Sequence, residues 1–186
     1  SHQVTVLTSR ANGLPPVSIE EGIRVIRVPV LFRKHMAVAN FPSMLAYLPS
    51  GFVRGLLLAR QHTFDIVNTH FALPSGPLGH ALSRVYRVPN VLSVHGGDLF
   101  DPSKASSPHR HAPLRQSVRW LLKAADAVIG QSQDTLDRVR SIYGAQRSMS
   151  LIQLGIERPP LRPNVQRAAF GLPQHAFVLV TVGRLI

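Results

Sequence analysis

Short runs of aliphatic and β-branched residues alternate along this chain with longer segments of helical periodicity, and Gly or Pro punctuates most boundaries. Gln3 to Thr8 predicts a first strand, and Ser9 to Glu21, with Asn12-Gly13 and Pro15-Pro16, reads as a loop. Gly22 to Val28 alternates Ile and Val with Arg24 and Arg27. It predicts a second strand with one face on the core and basic chains at a sheet edge, ended by Pro29. Ala39 to Gln61 is helical in pattern, but Pro42, Pro49 and Gly51 interrupt it, so two shorter helices are expected. Leu45, Leu48, Phe52, Leu56 and Leu57 form an apolar stripe expected to pack on the sheet.

The pattern is more regular beyond this point. Asp65 to His70 predicts a central strand, and Pro77 suits the first turn of a helix to about Tyr86. Val88 to Val94 is the next strand, Leu114 to Ala124 a helix, and Ala127 to Gly130 a strand. Ser132 suits the N-cap of a helix that reaches Tyr143 and ends at Gly144. Met149 to Leu154 predicts a strand, Arg167 to Leu172 a short helical or irregular piece, and Phe177 to Arg184 a further strand. Strands alternating with helices of near ten residues imply an α/β fold with a parallel, Rossmann-like sheet flanked by helices.

In such sheets ligands bind at the carboxyl ends of the strands, where loops converge on a crevice. The strand through Val94 breaks there into His95-Gly96-Gly97-Asp98. Gly96 and Gly97 let the backbone approach a ligand, while His95 and Asp98 add a titratable imidazole and an anion. The plainer alternative is that Asp98 caps a helix and His95 is a satisfied edge histidine. His70 opens a second polar mouth beside the first. The helix start at Ser132 suits a cap, and the same N-terminus offers a place for a phosphate or a sugar hydroxyl. His109-Arg110-His111 are adjacent, so their side chains point apart and make a poor tetrahedral metal set. That segment reads either as a loop over the cleft mouth or as a solvated basic loop.

Composition narrows the classes. The chain has 186 residues, 45% of them hydrophobic and 16% charged, enough for one sizeable α/β domain and unlike a disordered chain. There is no cysteine, which excludes disulfides and thiolate metal sites. No run reaches the roughly 18 apolar residues of a membrane span. Lys and Arg total 21 against 9 acids, a net +12. Arg24, Arg27, Arg33, Lys34, Arg54 and Arg60 lie in a stretch from Gly22 to Phe64 that holds no acid. Such a field favours anionic partners. Nucleic acid is not expected among them, because the basic residues are scattered and no recognition motif accompanies them. Phe32-Arg33-Lys34-His35-Met36 and the helix after it instead suggest a basic, apolar surface for an anionic membrane.

The ordered set of Val4-Thr5-Val6-Leu7-Thr8, Phe64-Asp65-Ile66-Val67-Asn68-Thr69-His70, Val94-His95-Gly96-Gly97-Asp98, Ala125-Asp126-Ala127-Val128-Ile129-Gly130-Gln131-Ser132, Gly155-Ile156-Glu157 and Val182-Gly183-Arg184-Leu185 resembles the N-terminal half of retaining glycosyltransferases with two Rossmann-like domains, glycosyltransferase family 4. The resemblance implies the N-terminal half of a GT-B fold, truncated at both ends: the strand, glycine-rich turn and helix that open the family's domain do not precede Gln3. It implies an acceptor-side domain over residues 1–173, then an interdomain segment and the first strand of a nucleotide-sugar-binding domain over 174–186. Glu157 stands where the family more often has Asp, and the residue before Gly155 is Leu154 where the family more often has Asn. Glu157 keeps the charge but alters its reach, so the resemblance carries over a hinge-facing loop there.

For the intact protein, the resemblance implies transfer of a glycosyl group from a nucleotide-diphosphate sugar to a hydroxyl with retention of configuration, with no separate cofactor and no bound metal. It implies that His95 is the catalytic contact to the donor sugar and Asp98 the orienting residue behind it. His70, Gly96 and Gly97 would face the acceptor, while Arg184 and Ser132 would face the donor. The expected partners are a nucleotide sugar and a sugar or lipid-linked acceptor. The expected protein is a monomer, cytoplasmic or peripheral at the inner membrane face, and the residues 1–186 alone should be inactive. Two other classes stay open. A dinucleotide-dependent oxidoreductase would need a G-x-G-x-x-G that does not occur here, and a non-catalytic sugar or lipid binding module would need only the mouth.

Overall fold

The computed structural model describes residues 2–31, 41–144, 149–155 and 166–180. The chain divides into two compact units, residues 1–154 and 155–186. The first unit holds β1 (Thr5–Ser9), β2 (Val17–Glu20), β3 (Ile23–Val28), α1 (Phe41–Ala59), β4 (Val67–His70), α2 (Ser75–Tyr86) and β5 (Asn90–Val94). A 3-10 turn at Pro108–Arg110 follows, then α3 (Ala112–Ala124), β6 (Ala127–Gly130), α4 (Gln133–Tyr143) and β7 (Met149–Leu151).

The strands form two sheets. One has the order β1-β3-β2, with β1 parallel and β2 antiparallel to β3; the other has the order β4-β5-β6-β7 and is parallel throughout. Each step in the second sheet is a strand, a helix and a strand, which is the alternation the sequence carries. This parallel sheet flanked by helices is the Rossmann-like arrangement expected.

Four expectations in the front part need correction. The segment read as a loop contains β2, joined to β3 by a two-residue hairpin at Glu21-Gly22, both with positive φ (51° and 81°). Such a turn matches the twist of paired strands. β3 is therefore a central strand, and Arg27 is buried within it, only 8% exposed, rather than carried at an edge. Its guanidinium bonds Ser18 Oγ at 2.7 Å and pairs with Glu20, which satisfies the buried charge. The Ser18 hydroxyl, and after it Arg27, hold the Glu20 carboxyl below its ordinary range.

Residues 41–59 make one helix with Pro49 inside it, where two helices were expected. Ser43, Tyr47, Gly51, Gly55 and Leu58 are buried, and Leu48 and Phe52 of the expected stripe pack against the core, whereas Leu45, Leu56 and Leu57 of that stripe are exposed. A Cβ on Gly51 would lie 2.6 Å from Leu78 of α2, and one on Gly55 would lie 2.4 Å from Leu82. The small residues let α2 approach, and this contact fixes which face turns inward.

Two apolar cores hold the unit. Val28, Tyr47, Leu78 and Leu82 join the first sheet to α1 and α2. Leu92, Val94, Leu99, Val118, Leu122, Val128, Val139 and Tyr143 are buried between the second sheet and its helices. In the second unit a 3-10 turn spans Arg167–Phe170. Phe177 to Val180, expected to open a strand, carry no strand assignment, and within that unit's described residues there is no other strand for them to pair with. Arg184, Glu157 and the Phe32–Met36 segment lie outside the described residues.

Candidate functional site

The parallel sheet delivers three strand ends to one place. Register pairs His70 of β4 with Ser93 of β5, and Val94 of β5 with Gly130 of β6. His70, His95 and Gln131 therefore emerge side by side, although they are far apart in sequence. Further back, toward their amino ends, the same strands are tied by polar contacts: Thr69 Oγ1 donates to Asn90 Oδ1 at 2.7 Å, and Asp126 accepts from the Asn90 amide at 2.9 Å. A Cβ on Gly79 of α2 would lie 1.8 Å from Thr69 Oγ1, so only glycine lets α2 cross β4 this closely.

His70 Nδ1 is 2.9 Å from His95 Nε2, and Gln131 Nε2 is 3.3 Å from that same nitrogen. Phe71 stacks on the His95 ring, with centroids 4.2 Å apart and planes inclined by 25°. Burial, and then the neighbouring His95, push the His70 imidazole below its ordinary pKa.

Asp98 ties the two exit loops together. Its Oδ2 accepts from the Ala72 amide at 2.6 Å and its Oδ1 from the His95 amide at 2.9 Å. It caps no helix: residues 97–99 form a turn, closed by Leu99 and Phe100 amides on the Gly96 carbonyl at 2.9 and 2.8 Å. Burial pushes the Asp98 carboxyl above its ordinary pKa, outweighing the opposing pull of the Ala72 and His95 amides. From below, the buried Tyr143 hydroxyl donates to the Leu99 carbonyl at 2.6 Å. Burial first, and the Asp98 charge next, raise that phenol to about 12.

Gly96 has φ +88°, and a Cβ there would meet Thr135 Oγ1 at 3.2 Å. Gly97 has open space where a Cβ would project. The start of α4 thus adjoins the glycine pair. Ser132 is its N-cap, accepting from the Thr135 amide at 3.1 Å, and Thr135 Oγ1 lies 2.9 Å from Ser132 Oγ. The three adjacent basic side chains at 109–111 go to separate partners: His109 to Ser107, Arg110 to the Pro102 carbonyl, and His111 to the Ala105 carbonyl.

Of the residues singled out from sequence, His70, His95, Gly96, Gly97 and Asp98 come together, and Ser132 stands at the adjoining helix start. Phe71 and Gln131 were not singled out. Each directly follows a site residue or strand end, and that position was the only available signal.

A parallel sheet flanked by helices, with a polar mouth at its carboxyl edge, is a Rossmann-like domain of the kind that forms the N-terminal half of a GT-B fold. A solved sucrose-phosphate synthase from Thermosynechococcus elongatus superposes with a TM-score of 0.69 over 92% of this chain and 43% of that one, at 19% identity. The chain belongs to glycosyltransferase family 4, whose family model matches residues 1–158. Curated relatives include D-inositol 3-phosphate glycosyltransferase 1 of Catenulispora acidiphila, 28% identical over 98% of this chain. The D-inositol 3-phosphate glycosyltransferase of Corynebacterium diphtheriae is 26% identical over 91% of it. This chain spans 44% and 41% of the lengths of those two proteins.

Proposed function

We propose that the protein of which these residues form the acceptor-side half transfers a glycosyl group from a nucleotide-diphosphate sugar to a hydroxyl acceptor with retention of configuration. The observation that carries this reading is the hydrogen-bonded His70–His95 pair at the mouth of a parallel sheet, beside Gly97, which leaves backbone open to a ligand. His95 hydrogen-bonds the donor sugar near the anomeric carbon. His70, Gly96 and Gly97 face the acceptor, and Asp98 holds the loop that carries His95. Ser132 and Arg184 serve the donor, Arg184 at the diphosphate. Residues 1–173 act as the acceptor-side domain, and 174–186 lead into a nucleotide-sugar-binding domain. Catalysis rests on positioning two substrates and stabilising a leaving diphosphate. The names of the curated relatives make a phosphorylated cyclitol one acceptor to test among others.

The test is a transfer assay of the intact protein against a panel of nucleotide sugars, with the product anomer read by NMR. Retention is expected, and inversion would overturn the mechanism. By calorimetry, residues 1–186 alone should bind UDP or GDP weakly. Tight binding would overturn the division of labour between the halves.

A second reading concerns location. The outward face of α1 exposes Leu45 (52%), Val53 (58%) and Leu57 (40%). Arg60 lies beyond the helix end, and the surrounding stretch lacks acids. These features support peripheral contact with an anionic membrane face. Among the described residues no helix is long and apolar enough to cross a membrane. Co-sedimentation with vesicles containing anionic lipid, but not with neutral ones, is the expected result.

A further inference from the structure

Successive side chains of a strand point to opposite faces, so His70 and Phe71 should not both reach one neighbour. Both touch His95. They do so because Phe71 has φ +72°, a left-handed conformation that is unfavourable for a bulky side chain. The conformation is held on both sides: the Phe71 amide donates to the Ser93 carbonyl at 2.9 Å, and the Ala72 amide donates to Asp98 at 2.6 Å. Burial does not account for it, since Phe71 remains 43% exposed. Backbone strain of this kind persists where surrounding structure enforces it, and it marks candidate functional positions.

We propose that Phe71 and Gln131 are positioning residues that fix the ring plane and the tautomer of His95. Phe71 covers one face of the imidazole. His70 and Gln131 meet its Nε2 edge at 2.9 and 3.3 Å, and Asp98 anchors its main chain. With the Gln131 amide nitrogen directed at Nε2, that nitrogen is an acceptor, and the His95 proton sits on Nδ1. The facing Nδ1 of His70 then carries the hydrogen between the two rings. Three strand ends and one loop thus hold a single ring, the preorganisation that an oriented polar contact requires.

The functional part of this inference rests on His95 acting at the sugar, but the fixing of the ring does not. The experiment is long-range proton–nitrogen NMR of the histidine ring nitrogens at pH 8, on this chain labelled with 15N-histidine, for the parent, Phe71→Gly, Phe71→Tyr and Gln131→Ala. Glycine tolerates the positive φ, so Phe71→Gly removes the ring without straining the backbone. The parent should show His95 as one tautomer protonated on Nδ1, and Phe71→Tyr should match it. Phe71→Gly and Gln131→Ala should give averaged ring-nitrogen shifts. Unchanged shifts in both would overturn the proposal, as would Phe71→Tyr behaving like Phe71→Gly. In the intact protein, Phe71→Gly should lower kcat about 10-fold with little change in donor KM, and Phe71→Tyr should restore it. Altered shifts with undiminished turnover would uphold the fixed ring and overturn the role of His95 at the sugar.

Discussion

His70 Nδ1 stands 2.9 Å from His95 Nε2 across 25 positions of sequence. Strand register creates the contact, because β4 and β5 run parallel and end together. His70 is held below its ordinary value of 6.5 by burial and then by the neighbouring His95. At pH values between the depressed folded pKa and 6.5, the unfolded chain binds more protons than the folded one, so stability rises with pH. The contribution of His70 is fully present above 6.5 and is lost as pH falls through the folded value. Urea midpoints from pH 7.5 downward should decline, and His70→Gln should flatten part of that decline.

Asp98→Ala should destabilise the first unit by about 3 kcal/mol, because it leaves two amides without their charged acceptor in a buried loop. Urea denaturation followed by circular dichroism measures this. A loss below roughly 1 kcal/mol would mean that water replaces the carboxylate and that the strap is not structural.

Gly79→Ala should cost about 2 kcal/mol through overpacking against Thr69. Combined with Thr69→Ala, the loss should be smaller than the sum of the two single losses, since the hydroxyl and methyl that meet the new Cβ are gone. Thermal unfolding of the three variants reads the coupling.

The second sheet was legible because its strands are runs of Val, Ile and Leu bounded by turn residues, and because Ser132 and Gly144 signal both ends of α4. β2 was not. It has four residues after two prolines, and its Val17 and Ile19 are exposed at the sheet surface, so what stabilises it is Arg27 on the neighbouring strand. α1 misled in two ways. Pro49 removes one helix hydrogen bond, yet packing on α2 keeps the helix whole. Its buried face is chosen by small residues that admit Leu78 and Leu82, so Leu45, Val53, Leu56 and Leu57 end outside. At the site, His70, His95 and Asp98 were legible as residues at strand ends. That Asp98 strapped two loops, and that Phe71 turned back on His95, depended on a left-handed residue that no local pattern announces.

Ser132→Ala should lower stability by about 1 kcal/mol through loss of the α4 cap, and Ser132→Asp should retain it. If Ser132 also serves the donor, Ser132→Asp in the intact protein will raise KM for the nucleotide sugar at parental stability. An unchanged KM limits Ser132 to the cap.

The most direct measurement is steady-state transfer by the intact protein carrying His95→Ala, with thermal unfolding recorded in parallel. Turnover should fall by a factor on the order of 10² while the unfolding temperature stays near the parental one, as expected for the loss of a preorganised polar contact. Transfer at the parental rate would make the His70–His95 mouth a structural corner and place the chemistry elsewhere.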